Sequence, residues 1–203
     1  RRALEAAGTA PGDLDLIVCA SLSPDMPFPA TASLISGLIG AGAAPAFDLS
    51  AACTGFMYAL AAAASFIAAE QAERVLVVGA EVVSKMIDWS DRSTAVLFGD
   101  GAGAVLLEPA ASGEKGIIGF DLGNDPAGAG QLSMPAGGSR RPASAETVAA
   151  GQHFLKMNGR EVFKFATRVI VSSAGKVLKS HGRRIEDVDL FIAEMPFEKF
   201  AAL

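Results

Sequence analysis

Cys53 is the residue whose type and setting point most directly to covalent chemistry. It follows the apolar run 45–49 (PAFDL) and the small residues 50–52, and it precedes an alanine-rich segment with helical patterning. A thiol at the start of a helix faces unsatisfied N–H groups and the helix dipole, which both favour the nucleophilic thiolate. The pattern therefore predicts a nucleophile at a strand-to-helix turn. Spacing alone leaves an inert buried cysteine equally open, since cysteine is among the most buried residue types.

Two other features offer weaker chemistry. Cys19 lies within an apolar segment that is predicted to be a strand, and we interpret it as structural. The run 99–104 (GDGAGA) matches a loose dinucleotide-binding pattern. A phosphate-binding loop must open a helix, however, and the residues that follow this run have strand character. We therefore predict a tight turn there, between two neighbouring strands within 94–107.

Basic residues recur every four positions across the start of the helix that is predicted over 159–180. They are Lys156, Arg160, Lys164 and Arg168. The last three lie opposite an apolar stripe of that helix, so they form a basic ridge on its surface. Such a ridge suits a phosphate-bearing or acidic partner, although a charged helix face is more often simply solvated.

Composition excludes several classes of function. The 203 residues carry 17 Lys and Arg against 22 Asp and Glu, a net charge of −5, which disfavours nucleic-acid binding. The longest apolar run, 56–69, is shorter than the roughly 20 residues that cross a bilayer, so it predicts a buried helix. His153 and His181 lack metal-ligand spacing, which predicts no metal site. Only two cysteines indicate an intracellular protein without disulfides.

The hydrophobic pattern predicts the elements that position these residues. Strands are expected at 15–20, 45–49 and 74–80, and helices at 31–39 and 53–72. This alternation is typical of a parallel or mixed α/β sheet. The order restarts near residue 116, with a strand at 116–123, a long loop at 124–150, the helix at 159–180 and a strand at 188–192.

Five segments in order resemble β-ketoacyl-acyl-carrier-protein synthase III. They are PFPATA (27–32), AFDLSAACTGF (46–56), VLVVGAE (75–81), DRSTAVLFGDGAGAVLL (91–107) and MNGREVFKFA (157–166). The resemblance covers residues 3–192 and implies an α/β thiolase-like fold with two similar mixed five-stranded halves. We expect the N-terminal half at 1–115, lacking its first strand, and the start of a truncated C-terminal half at 116–203.

The resemblance also implies a reaction. A short acyl-CoA would acylate Cys53, and the acyl group would then condense with malonyl-acyl carrier protein, with loss of carbon dioxide. The product, a 3-oxoacyl carrier protein, begins fatty acid synthesis. Coenzyme A enters as the substrate thioester, and no permanently bound cofactor is implied. The family further implies a homodimer in the cytoplasm.

Roles for other residues follow from the same resemblance. Arg92 matches an arginine that holds the adenine end of CoA, and Phe28 matches a phenylalanine that crosses the dimer interface toward the partner's acyl pocket. Met157 and Asn158 fall among the substrate-binding residues. The ridge formed by Arg160, Lys164 and Arg168 corresponds to the carrier-protein docking surface, and its positive charge suits an acidic carrier.

The sequence departs from the family near its end. A His-Gln-Ala-Asn motif, whose histidine and asparagine donate to the developing enolate, is expected at 194–197, where the chain reads Glu194, Met195, Pro196 and Phe197. A carboxylate would repel the enolate and a phenyl ring donates nothing, which argues against condensation by this chain. We favour a portion of an ordinary member with an altered end over a divergent homologue or a disrupted gene product.

Two alternative functions remain open at this point. One is a related acyltransferase that does not decarboxylate, and the other is a catalytically silent subunit that pairs with an active one.

Overall fold

Residues 1–111 and 115–192 are described by a computed structural model of the protein. The chain forms two compact units. The first comprises Arg1–Val82 and Gly99–Ile117, and the second comprises Val83–Phe98 and Ile118–Leu203. The division into thiolase-like halves at 1–115 and 116–203 stays a prediction.

The first unit is built on a mixed four-stranded sheet. Its strands are β1 (Leu16–Ala20), β2 (Ala46–Leu49), β3 (Val75–Val82) and β4 (Asp100–Leu107), in the order β2-β1-β3-β4. β1 is parallel to both β2 and β3, whereas β4 is antiparallel to β3. The three strands predicted at 15–20, 45–49 and 74–80 are therefore confirmed, and the carboxyl ends of all three lie at one edge of the sheet.

Helices cover both faces of this sheet. They are α1 (Arg2–Ala7), α2 (Thr31–Ile39) and α3 (Gly55–Ala68). Side chains alternate along β1, so Leu16 and Val18 join the core under α3, while Ile17 and Cys19 join the core under α1 and α2. The helix predicted at 31–39 is confirmed and ends at Gly40, whose positive φ of 80° suits glycine.

The prediction for 94–107 is wrong in its first part. Residues Arg92–Ala95 form a short helix, α4, instead of belonging to a strand. The glycine-rich run is also not a turn, because Gly101 and Gly103 lie within β4 and pair with Glu81 and Gly79 of β3. Glycine is a weak strand former, and only pairing with β3 accounts for the strand here. The rejection of a phosphate-binding loop stands, since the run does not open a helix.

The second unit carries short elements and one long helix. They are α4, β5 (Leu132–Ser133), α5 (Ala145–Ala149), β6 (Lys156–Met157) and α6 (Gly159–Ser180). β5 and β6 pair antiparallel, with Leu132 opposite Met157. The helix predicted at 159–180 is confirmed, although none of its residues is fully buried in the described part of the chain.

Two predicted strands are absent from the described residues. Residues 116–123 and 188–192 have no regular structure, and neither pairs with a strand among the described residues. Their apolar side chains are correspondingly exposed: Ile118 by 56% and Ile192 by 82%. A strand forms only where a neighbour takes up its backbone hydrogen bonds, and the apolar pattern cannot supply that neighbour.

Candidate functional site

Cys53 lies between the end of β2 and the start of α3. A single 3₁₀ turn, Ala52–Thr54, connects directly to α3, and the Thr54 hydroxyl donates to the Ala51 carbonyl at 2.9 Å. The thiol is exposed. The predicted strand-to-helix position is confirmed, and the exposure excludes the inert buried alternative. Its role as a nucleophile stays a prediction.

The residue before the thiol has an unusual backbone conformation. Ala52 has a φ of +47°, in the left-handed region that side chains disfavour. A non-glycine residue there costs about 1–2 kcal/mol. Such conformations persist where surrounding structure imposes them, and they concentrate at functional turns. The turn thus directs Cys53 at the expense of local stability.

Two close contacts fix the first turn of α3 against the sheet. A Cβ at Gly55 would stand 3.4 Å from the Cβ of Ala20 in β1. A Cβ at Gly79 in β3 would stand 3.1 Å from Cδ2 of Phe56. Because neither glycine has a side chain, the helix approaches both strands closely. These contacts hold the base of the turn that carries Cys53.

Cys19 contrasts with Cys53. Its side chain is fully buried, and burial raises its pKa to about 11, with the negative charges of Asp48, Glu81 and Asp25 adding to the effect. A thiol with such a pKa carries almost no thiolate at neutral pH. The interpretation of Cys19 as structural is confirmed.

Glu81 anchors the start of the loop that follows β1. Its carboxylate accepts the Leu22 N–H at 2.9 Å and the Ser23 hydroxyl at 2.6 Å. The Ser23 oxygen in turn accepts the Val82 N–H at 2.8 Å. Hydrogen bonds to a charged acceptor are about twice as strong as neutral ones. This arrangement ties the loop to the end of β3.

Asp48 anchors the other end of that loop. Its two carboxylate oxygens accept the backbone N–H groups of Thr31 at 2.7 Å and Ala32 at 2.8 Å. These are the first N–H groups of α2, which have no partner within the helix. Phe28, between the two anchored ends, is 83% exposed. The loop therefore presents the phenyl ring outward, and the role of Phe28 at a dimer interface stays a prediction.

Arg92 opens α4 in the second unit. Asp91, just before it, caps the helix by accepting the Ser93 N–H at 3.0 Å and the Ser93 hydroxyl at 2.6 Å. Thr94 is fully buried beneath this turn. Arg92 itself is exposed. The cap thus fixes the backbone from which this side chain extends.

The second unit brings Arg92 and the 157–158 segment onto neighbouring stretches of chain. The Met86 carbonyl accepts the Leu155 N–H at 2.8 Å, and Lys156 lies near enough to Asp91 to help lower its pKa. Met157 and Asn158 follow directly. These contacts join the segment before Met157 to the segment before Arg92, while the substrate-binding roles of Arg92, Met157 and Asn158 stay predictions.

The basic ridge lies on α6 as predicted, except for Lys156, which belongs to β6. Arg160, Lys164 and Arg168 are exposed. Lys164 pairs with Glu161 at 2.7 Å, while no ion pair of Arg160 or Arg168 occurs within the described residues. The net charge of the ridge is therefore carried by the two arginines.

Metal-binding clusters and membrane-spanning helices are both absent from residues 1–111 and 115–192. Over these ranges no three His, Cys, Asp or Glu side chains are grouped so as to hold a metal ion. In the same part of the chain, no helix combines the length and apolar character that a membrane crossing needs.

Comparisons with known proteins give one consistent family. Residues 47–126 match the family model for 3-oxoacyl-[acyl-carrier-protein (ACP)] synthase III. The β-ketoacyl-[acyl-carrier-protein] synthase III of Natranaerobius thermophilus is 53% identical over 192 residues, covering 94% of this chain and 58% of the relative. That of Desulfitobacterium hafniense is 52% identical, covering 94% and 57%. The chain belongs to the β-ketoacyl-acyl-carrier-protein synthase III family.

Solved structures of synthase III enzymes support the same family and show its fold. The enzyme from Thermus thermophilus superposes with a TM-score of 0.80 at 40% identity, covering 93% of this chain and 57% of that one. The Aquifex aeolicus enzyme gives a TM-score of 0.79 at 39% identity, covering 92% and 56%. The predicted α/β thiolase-like fold is therefore confirmed. The chain spans less than three-fifths of the length of the two curated synthase III relatives that it matches.

The substituted motif of synthase III remains a sequence observation. Glu194, Met195, Pro196 and Phe197 lie outside the described residues. The residues that sequence reasoning missed are Asp48, Glu81 and Ala52. Asp48 and Glu81 both lie within strands, so neither forms a local capping pattern that could have revealed its long-range contacts.

Proposed function

We propose that the protein is an acyltransferase that condenses a short acyl-CoA with malonyl-acyl carrier protein, with decarboxylation, through an acyl group on Cys53. The observation that carries this proposal is the exposed Cys53 thiol on a strained strand-to-helix turn within a synthase III sequence. The same reaction would begin fatty acid synthesis.

The first half of the reaction follows from the position of the thiol. The Cys53 sulfur, as thiolate, attacks the thioester carbon of acyl-CoA; a new S–C bond forms, the bond to the CoA sulfur breaks, and CoA leaves as a thiolate that takes up a proton. The start of α3 supports this step, because its unsatisfied N–H groups and dipole favour negative charge on the sulfur. Burial denies Cys19 the same chemistry.

The second half needs the carrier-bound malonyl group and hydrogen-bond donors to its enolate, which Glu194 and Phe197 do not supply. Loss of carbon dioxide leaves an enolate carbon, which attacks the acyl carbon on Cys53 and releases the cysteine as 3-oxoacyl carrier protein forms. The exposed arginines of the basic ridge, Arg160 and Arg168, suit an acidic carrier protein. Lys164 contributes less, since Glu161 pairs with it.

The remaining roles belong to the same proposal. Arg92 holds the adenine end of CoA, and Met157 and Asn158 also bind the substrate. Phe28 reaches into the acyl pocket of a second copy in a cytoplasmic homodimer. Its exposure of 83% fits a side chain that is covered by another subunit. CoA is a substrate, and the reaction as written needs no bound cofactor.

Intact-mass spectrometry after incubation with acetyl-CoA tests the first half. We expect one added acetyl group, mapped by peptide analysis to Cys53 and absent from Cys53→Ser. Cys19→Ser is the matched control and should be labelled like the unchanged protein. Label that persists in Cys53→Ser would exclude Cys53 as the nucleophile.

Adding malonyl-acyl carrier protein to the acetylated protein tests the second half. Loss of the acetyl group with formation of 3-oxobutanoyl carrier protein supports condensation. Loss of the acetyl group to the carrier without decarboxylation would instead establish the non-decarboxylating transferase. A folded protein that never acetylates would favour the silent subunit.

A further inference from the structure

Thr54 directly follows Cys53, and its hydroxyl group makes an unexpected contact. The residue stands at the N-cap position of α3, where a threonine hydroxyl ordinarily accepts an N–H group from the first turn of the helix. Among the described residues, the Thr54 side chain makes no such capping bond. Its hydroxyl instead donates backwards, to the Ala51 carbonyl at 2.9 Å. The contact therefore stabilises the turn before the helix and not the helix itself.

The bond between Thr54 and Ala51 spans the two residues that define the turn. Ala52, with its φ of +47°, and Cys53 both lie between the donor and the acceptor. The Gly55 N–H donates to the Ala52 carbonyl and closes the same turn from the other side. A side-chain hydroxyl that bonds to nearby backbone can hold a conformation that the backbone alone disfavours.

Packing gives this part of the turn little support. Ala52, Cys53 and Thr54 are all exposed in the described chain. Close packing begins one residue later, at Gly55, which is buried and lies against Ala20 of β1. The strained backbone at Ala52 therefore depends on local hydrogen bonds, and the Thr54 hydroxyl supplies the one that spans it.

We propose that Thr54 is a positioning residue for the nucleophile, and that its hydroxyl, bonded to the Ala51 carbonyl, holds Cys53 at the start of α3. This proposal rests on the proposed use of Cys53 as the group that is acylated. The N–H groups and dipole at the start of a helix favour the thiolate, and this effect falls off within the first turn. Without the hydroxyl, the turn relaxes and the sulfur loses part of that stabilisation.

The pH dependence of alkylation tests the proposal on the 203-residue chain. Iodoacetamide reacts with the thiolate, so the rate constant for Cys53, measured by peptide mapping, rises with pH to a plateau. Thr54→Val keeps the shape of the side chain and removes the donor. We expect its rate constant at neutral pH to fall about two- to tenfold, the equivalent of one hydrogen bond. The midpoint should move to higher pH while the plateau stays unchanged.

Two further variants separate the hydroxyl from other effects. Thr54→Ser keeps the donor and should restore the profile of the unchanged protein. Ser65→Ala is the matched control, because the Ser65 hydroxyl makes the same kind of bond within α3, to the Ala61 carbonyl at 2.8 Å. It should alkylate at Cys53 as the unchanged protein does. If Thr54→Val does not fold, Thr54→Ala removes the donor without added branching and provides the same comparison.

Three results would overturn the positioning role. They are an unchanged midpoint in the variants that lack the donor, a lowered plateau without a shift of the midpoint, and an equal shift in Ser65→Ala. A lowered plateau alone would assign Thr54 a structural role. Failure of Thr54→Ser to restore the midpoint would show that the hydroxyl is not the group that acts.

Alkylation requires no acyl-CoA, so the two proposals can fail separately. If acetyl-CoA never acetylates Cys53 while alkylation depends on the Thr54 hydroxyl, the proposed function fails and the positioning of the thiol stands. If Cys53 is acetylated with the same pH dependence in Thr54→Val and in the unchanged protein, the positioning role fails and the proposed function stands.

Discussion

Gly79 of β3 lies directly against Phe56 of α3, with Cδ2 of the ring 3.1 Å from the place where a Cβ would stand. The ring packs against the core beneath α3, so it has little room to retreat. We expect Gly79→Ala to lower the free energy of unfolding by about 1–3 kcal/mol, as overpacking does. We also expect slower alkylation of Cys53 by iodoacetamide, because the start of α3 must shift.

Gly103→Ala in β4 is the matched control for this change. It adds the same methyl group to the same sheet, at a position where a Cβ would meet nothing within 4 Å. Urea unfolding and alkylation rates of both variants provide the comparison. Unaltered stability and reactivity in Gly79→Ala would show that the contact does not hold the turn.

The left-handed conformation of Ala52 makes a second prediction. Ala52→Val should destabilise the protein by about 1–2 kcal/mol more than alanine does, because a β-branched residue is least tolerant of positive φ. Ala52→Gly should relieve the strain and stay close to the unchanged protein in stability. Ala69→Val, at an exposed position with a φ of −86°, controls for the added bulk. Chemical denaturation distinguishes the cases; equal effects of valine at 52 and 69 would contradict the assignment of strain.

A third prediction concerns Glu81, which anchors the loop that carries Phe28. Glu81→Gln removes the charge that the Leu22 N–H and Ser23 hydroxyl both meet, and should cost about 1.5–3 kcal/mol, the range for hydrogen bonds to charged groups. Hydrogen exchange and limited proteolysis should both increase in the loop around Phe28. Glu108→Gln, which removes a half-exposed partner of Arg74, should change stability by less than about 1 kcal/mol. A loop protected equally in both variants would rule out the anchoring role of Glu81.

A fourth prediction follows from the raised pKa of Cys19 and concerns the stability of the protein at alkaline pH. The unfolded thiol loses its proton near pH 9, while the buried one keeps it until about pH 11. The unfolded state therefore binds fewer protons within this window, so stability that is fully present below about pH 9 falls as pH rises toward 11. Urea midpoints across this window should fall more steeply in the unchanged protein than in Cys19→Ala. Parallel slopes would show that Cys19 does not contribute.

Sequence reasoning located the elements whose signals are local. The helix at 31–39 ends at Gly40, which marks its terminus, and Cys53 follows a strand that alternates with helices in a familiar order. The position of the thiol was therefore predictable. The substrates that react with this thiol, and the residues that bind them, were predicted only from the resemblance to the synthase III family.

The failures concern pairing and exposure, which are not local. Residues 100–107 form a strand because β3 lies beside them, although their glycines resemble a turn. Residues 116–123 are apolar but unpaired in the described chain, and so form no strand. The exposure of Trp89 could not be predicted, because a single tryptophan outside any periodic pattern gives no indication of whether it is buried or exposed.

The two anchors of the loop that carries Phe28 also have an entropic consequence. Because Glu81 and Asp48 fasten its ends to strands of the sheet, only residues 24–30 are left to vary in conformation. Fixing the two ends restricts the conformations that these residues can sample, and this part of the entropy cost falls on folding and not on contact with another surface. A partner that received the phenyl ring would therefore meet a loop whose ends are already fixed, and would bear only the remaining cost of arranging residues 24–30.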